Sequence, residues 1–157
     1  MNIKRLDKKD FEVNETGINQ NHLRLSFLDF DFDPELITKK LELEPLSTGQ
    51  KGDEYFIGSQ KQISKTRDCN HWEFEWKNTS NDFIGDYISE FFKEIIIPRL
   101  DLIKGIASNC RIVRFNIVQY YYSGHNPGYT FEKEQIRTLS DINAEIDIDT
   151  YCLCKDE

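Results

Sequence analysis

From His22 onward, apolar and polar positions alternate. Leu23, Leu25 and Phe27 fall on one side of an extended chain and Arg24 and Ser26 on the other, the period of two that marks a half-buried strand. The phase then inverts, with Leu28, Phe30 and Phe32 apolar and Asp29, Asp31 and Asp33 polar, so a bulge or bend is expected near Phe27. Asp33-Pro34-Glu35 is a helix start: Asp33 can accept a backbone N–H, and Pro34 sits where its missing donor costs nothing. Ile37 and Leu41, one turn apart, give this helix a buried face, Pro45 follows its end, and 47–53, with Gly49 and Gly52, reads as a loop.

Residues 54–57 and 71–77 read as two strands expected to pair antiparallel, the second setting Trp72, Phe74 and Trp76 against Glu73 and Glu75. Asn81-Asp82 is expected to cap an amphipathic helix carrying Ile84, Tyr87, Ile88, Phe91, Phe92 and Ile95. Pro98 kinks it or starts a second segment, through Leu100, Ile103, Ile106 and Ala107. Residues 110–122 are apolar on both faces, as befits a strand near the sheet centre. A dense turn signal at 123–128 precedes a short helix presenting Ile136 and Leu139. In the last strand Ala144, Ile146, Ile148 and Cys152 alternate with Glu145, Asp147, Asp149 and Tyr151, predicting one wet face.

This order predicts an α+β fold: an antiparallel or mixed sheet of about five strands with helices packed on one face, in ferredoxin-like (split βαβ) order plus an extra C-terminal helix and strand. Residues 1–21 read as a polar N-terminal arm, and 22–157 as a single domain, since 157 residues fill one core. Eleven Phe, seven Tyr and two Trp supply enough apolar bulk for that core. The most apolar run, 91–102, is broken by Lys93, Glu94, Pro98, Arg99 and Asp101 and falls short of the roughly 20 residues of a membrane span. With no stretch in 1–13 resembling a signal peptide, a cytoplasmic location without membrane contact is expected.

A net charge of −8 disfavours phosphate backbones, so nucleic acid is not expected as a partner and a basic protein is. Cysteines 69, 110, 152 and 154 are expected to be reduced thiols. Cys69-x-His71 and Cys152-x-Cys154 would make a four-ligand zinc site only if the two pairs met; no metal or cofactor is assigned.

The stretches Phe32-Asp33-Pro34-Glu35-Leu36-Ile37, Leu43-Glu44-Pro45, Lys51-Gly52-Asp53, Trp72, Asn109-Cys110-Arg111, 123–128 (SGHNPG) and Ile146-Asp147-Ile148-Asp149 occur in an order that resembles a bacterial family, domain of unknown function 4279. The resemblance runs over about 22–151, with a longer polar arm and an insertion-like stretch at 58–70 as departures. It implies a fold and a bacterial setting and carries over no catalytic residue. Association of such small proteins with toxin and immunity genes implies an immunity role.

Asp29-x-Asp31-x-Asp33 opens like a calcium loop, but Pro34 and Lys40 stand where that loop needs Gly and Glu, so it reads as a strand edge and helix cap. Glu73, Glu75, Glu145, Asp147 and Asp149 are candidate partner-binding carboxylates, and no residue is assigned a catalytic role. The leading expectation is a non-catalytic protein-binding module, an immunity protein neutralising a basic toxin. The alternative is a small enzyme or small-molecule-binding protein whose site involves Ser123, His125 and Asn126 in the 123–128 loop. A third, a homo-oligomer through exposed aromatics, leaves the oligomeric state open. Tyr120, Tyr122 and the Trp72, Phe74, Trp76 row read as core or protein interface rather than stacking platforms for nucleic acid.

Overall fold

A computed structural model describes residues 17–57, 63–124 and 127–153. In chain order its elements are β1 (Gln20–Leu28), α1 (Glu35–Leu41), β2 (Ser47–Gly49), β3 (Glu54–Ile57), β4 (Ile63–Thr66), β5 (His71–Thr79), α2 (Ile84–Phe91), α3 (Leu100–Ala107), β6 (Ile112–Tyr121), α4 (Lys133–Asp141) and β7 (Ala144–Cys152). The fold is α+β, with a mixed five-stranded sheet in the order β2-β5-β1-β6-β7. Neighbours are antiparallel except β6 and β7, which are parallel and joined through α4. A separate hairpin pairs β3 with β4.

Alternation along β1 builds the core. Leu23 lies between Trp76 and Ile117, Leu25 between Phe74 and Phe115, and Phe27 between Trp72 and Val113. Onto this face pack Ile37 and Leu41 of α1, Ile84, Ile88 and Phe91 of α2, Ile103 and Ile106 of α3, and Leu139 of α4. Phe91 is the hub, with its ring centroid 5.5 Å from Phe115 and 5.8 Å from Trp76. The aromatic row of β5 is therefore core. Trp72 also donates from Nε1 to Thr38 Oγ1 at 2.9 Å, fastening α1 to the sheet.

Pro98 acts as expected of a residue without an N–H. Between α2 and α3 the helix widens into a π turn over Phe92–Ile96 and tightens to 3-10 over Ile97–Arg99. Carbonyls freed by the irregularity are recovered by Arg99, whose guanidinium donates to Glu94 O at 3.1 Å and Ile95 O at 3.2 Å. Its Nε reaches Leu41 O at 2.7 Å, tying the kink to the end of α1.

Several expectations are corrected. Of the bulge or bend expected near Phe27, the chain has the bend: the β1 ladders run unbroken through Phe27 and Leu28, and the phase inverts because the strand ends there and Asp29 turns into the left-handed region at φ 56°. Residues 47–49 are a strand against His71–Glu73, not loop, and 54–57 pairs with β4 rather than with β5. Part of the insertion-like 58–70 stretch thus supplies the partner of β3. Asn81 and Asp82 do not cap α2: Asn81 Oδ1 accepts from Asn19 N at 2.9 Å, and Asp82 accepts from Ser80 Oγ at 2.8 Å. Pairing in β1 starts at Gln20, ahead of His22, because Asn19 and Asn21 are buried and bonded. Asn19 Oδ1 accepts from Tyr122 N, and Asn21 links Asn78 to Gln119, each bond at 2.9 Å. In β7 both faces are partly wet, since Ile146 and Ile148 lie at the sheet margin. Asp33 behaves as expected, accepting from Glu35 N at 3.0 Å.

No helix among the described residues is long and apolar enough to cross a membrane. Replacing Arg99 by Met, which keeps the stem and removes the donors, is expected to lower unfolding stability by about 1–2 kcal/mol. Urea denaturation monitored by tryptophan fluorescence checks this.

Candidate functional site: the open face of the sheet

With the helices on one side, the other side of the sheet is a grid of side chains that strand register alone brings together. Its first row is Gly49, His71, Leu28 and Ile112, and its second Ser47, Glu73, Ser26, Arg114 and Glu145. A third holds Glu75, Arg24, Asn116 and Asp147, and a fourth Lys77, His22, Val118 and Asp149. All five carboxylates singled out from the sequence lie on this face.

They differ in what they touch. Glu75, with its side chain 8% exposed, accepts from His22 Nδ1 and Arg24 Nε, each at 2.9 Å. Burial alone would raise its pKa, but the bonds from His22 and Arg24 outweigh burial and hold it below the usual value. Glu73 Oε2 accepts from Ser26 Oγ at 2.9 Å, and Glu145 pairs with Arg114 at 3.3 Å. Asp147 and Asp149 are exposed and have no ion-pair partner among the described residues. At the far end of the grid Tyr120 stacks on Tyr151, with centroids 5.3 Å apart.

A cavity of about 190 Å³ opens in the first three rows, lined by Ser26, His71, Glu73, Arg114, Asn116 and Asp147 among others. Ser26 makes the dip: it is 4% exposed, while long side chains stand on both sides of it in the Glu73–Arg114 row. His71 is 8% exposed; its Nε2 is 3.0 Å from Ser47 Oγ, and its Nδ1 is buried with no hydrogen-bond partner among the described residues. Glycine at 49 admits the ring, because a Cβ there would meet the imidazole at 3.0 Å and Arg67 Nε at 2.5 Å. Burial pushes the His71 pKa below its usual value and the Arg67 charge adds to this, against weaker opposing effects of Glu73, the Gly49 backbone and Asp53. The ring is accordingly neutral near pH 7.

Other candidates separate in space. Ser123 lies just past the far end of β6, nine residues along the strand from the Ile112 row that holds His71, roughly 30 Å at ~3.3 Å per residue. His125 and Asn126 of that loop lie outside the described residues. The same distance parts His71 from Cys152, which pairs with Tyr121, so Cys69-x-His71 and Cys152 cannot share an ion; Cys154 lies outside the described residues. Among the described residues no group of three or more His, Cys, Asp or Glu is placed to hold a metal.

Several of the short motif stretches meet at the His71 end of the sheet. Asn70 Oδ1 accepts from Lys51 N at 2.7 Å, Asn70 Nδ2 donates to Phe32 O at 3.0 Å, and Arg111 binds Asp29 through backbone and side chain. This knot joins three connections and explains the motifs as structural.

Together these residues define an α+β protein with a mixed sheet that carries its described helices on one face and a charged grid of side chains on the other. The chain belongs to the family described as a domain of unknown function (DUF4279), which matches residues 19–153. No curated protein and no solved structure matches it.

Sequence reasoning reached the carboxylates but not the cavity. The expectation that 110–122 is apolar on both faces passed over Arg114 and Asn116, which register places on the open side; Ser26 was legible only as a polar position, and His71 only as a possible metal ligand.

The pKa directions generate a pH prediction. Unfolded His71 takes a proton near 6.5 whereas the folded ring resists it, so the unfolded state binds more protons below that value and stability falls as pH drops through 6.5. The paired Glu75 adds stability that is present above 4.5 and lost below it. Urea midpoints of wild type and His71→Gln are expected to differ most above pH 6.5 and to converge as pH falls below it, because only the wild type carries the His71 component that is lost there.

Proposed function

We propose that the chain is a non-catalytic protein-binding module that docks a basic protein partner on the open sheet face, along the Glu145, Asp147 and Asp149 strip of β7. The observation that carries this reading is the pair of exposed carboxylates Asp147 and Asp149, without an ion-pair partner among the described residues, at the margin of a face that no described helix covers. A lysine- or arginine-rich surface would complete these charges and steer encounter. Glu73 and Glu75, already engaged by Ser26, Arg24 and His22, contribute field rather than direct contacts. Within the bacterial setting implied by the family resemblance, the reading extends to an immunity protein that occludes a toxin.

The fold assignment carries a proposal of its own. The antiparallel run β2-β5-β1-β6, with helices on one face, supports a ferredoxin-like (split βαβ) core to which α4 and the parallel strand β7 are added.

A tagged protein used as bait in lysate of the source cell tests the docking reading. A basic protein is expected to be retained at low salt and released as salt rises. The triple substitution Glu145→Gln, Asp147→Asn, Asp149→Asn is expected to weaken capture about tenfold at low salt. Retention indifferent to both salt and the triple substitution would remove the electrostatic strip from the function.

A further inference from the structure

The cavity beneath His71 shares Asp147 with the docking strip, and Arg114 in its wall pairs with Glu145 of that strip, but Ser26, His71, Glu73 and Asn116 belong to the cavity alone. Its walls are of opposite sign. Glu73 stands on β5 and Arg114 on β6, with the short Ser26 of β1 between them, so their backbones lie about 10 Å apart at ~4.8 Å per strand. Asp147 closes the β7 side and Asn116 offers an amide. His71 contributes the edge of its neutral ring to the same wall.

Charge balance selects the ligand. A lone anion would bind beside Glu73 and Asp147, and a lone cation beside Arg114; a molecule bearing both charges meets each with its complement. The cavity, about 190 Å³, favours a compact molecule. We propose that this cavity binds a compact zwitterion of free amino-acid type, its carboxylate on Arg114 and its ammonium toward Glu73 and Asp147.

Titration of the purified full chain with glycine, alanine and serine, each compared with its amine alone (methylamine, ethylamine, ethanolamine) and with acetate and propionate, tests this by calorimetry and by NMR of the His71 and Arg114 side chains. Saturable binding of at least one amino acid, about tenfold tighter than either half-molecule, is expected. Arg114→Gln and Glu73→Gln should each weaken it about tenfold, Ser26→Leu should abolish it by filling the dip, and Asp149→Asn, outside the cavity, should leave it unchanged. Arg114→Gln, on a partly exposed side chain, decides the matter if Ser26→Leu does not fold. An amine or a carboxylate that binds as tightly as the amino acids overturns the zwitterion assignment, and the absence of a saturable response to every compound overturns the site. Because Asp147 belongs to both, partner capture is read separately through salt and through Asp149→Asn, which lies outside the cavity, so either idea can fail while the other stands.

Discussion

β1 is hydrogen-bonded along both edges for its whole length, to β5 on one side and β6 on the other. Because side chains alternate with a period of two, fixing this one strand between two partners assigns a face to every residue of all three, and a slip of one residue would exchange core and surface. Leu23, Leu25 and Phe27 admit only one solution: buried at the sheet centre, they must meet Phe115, Ile117 and the β5 aromatics, and the helices must follow onto that side. The charged grid opposite is the necessary complement of this choice.

The grid then has to reconcile charge with partial burial. Glu75 is nearly enclosed, and a carboxylate there is tolerable because Arg24 and His22 bond it directly. Toward β7 the environment opens and the pairing lapses, leaving Asp147 and Asp149 in solvent. The same carboxylates discourage the free edge of β7 from pairing with another chain, so protection of an edge strand and attraction of a basic surface draw on one set of residues. Between the enclosed and open regions lies the His71 cavity, where a small side chain interrupts a row of long ones.

Both ends of the sheet are closed by hydrogen bonds rather than by apolar packing. At one end Asn70 and Asp29 join the β1–α1, β2–β3 and α3–β6 connections. At the other, Asn19, Asn21 and Gln119 bond across strands, and Tyr129 donates to Gln119 Oε1 at 2.8 Å, fastening the segment that leads into α4. Buried amides satisfied in this way specify register, because a shifted strand would leave them unpaired.

The sequence by itself determined what is local and periodic: the alternation of β1, β5 and β6, the Asp33-Pro34 helix start, the break at Pro98, and the carboxylate side of β7. Each depends on residues within a few positions of one another, where backbone geometry dictates which side chains share a face. Only the tertiary structure decided the pairings. Ser47–Gly49 has no strand signal of its own and becomes a strand because β5 offers a free edge, while Glu54–Ile57, which has one, pairs elsewhere. Ser26, His71, Arg114 and Asn116 are far apart in the chain and ordinary one by one. Register across β5, β1 and β6 made them neighbours, and register is set by long-range packing that no local pattern encodes.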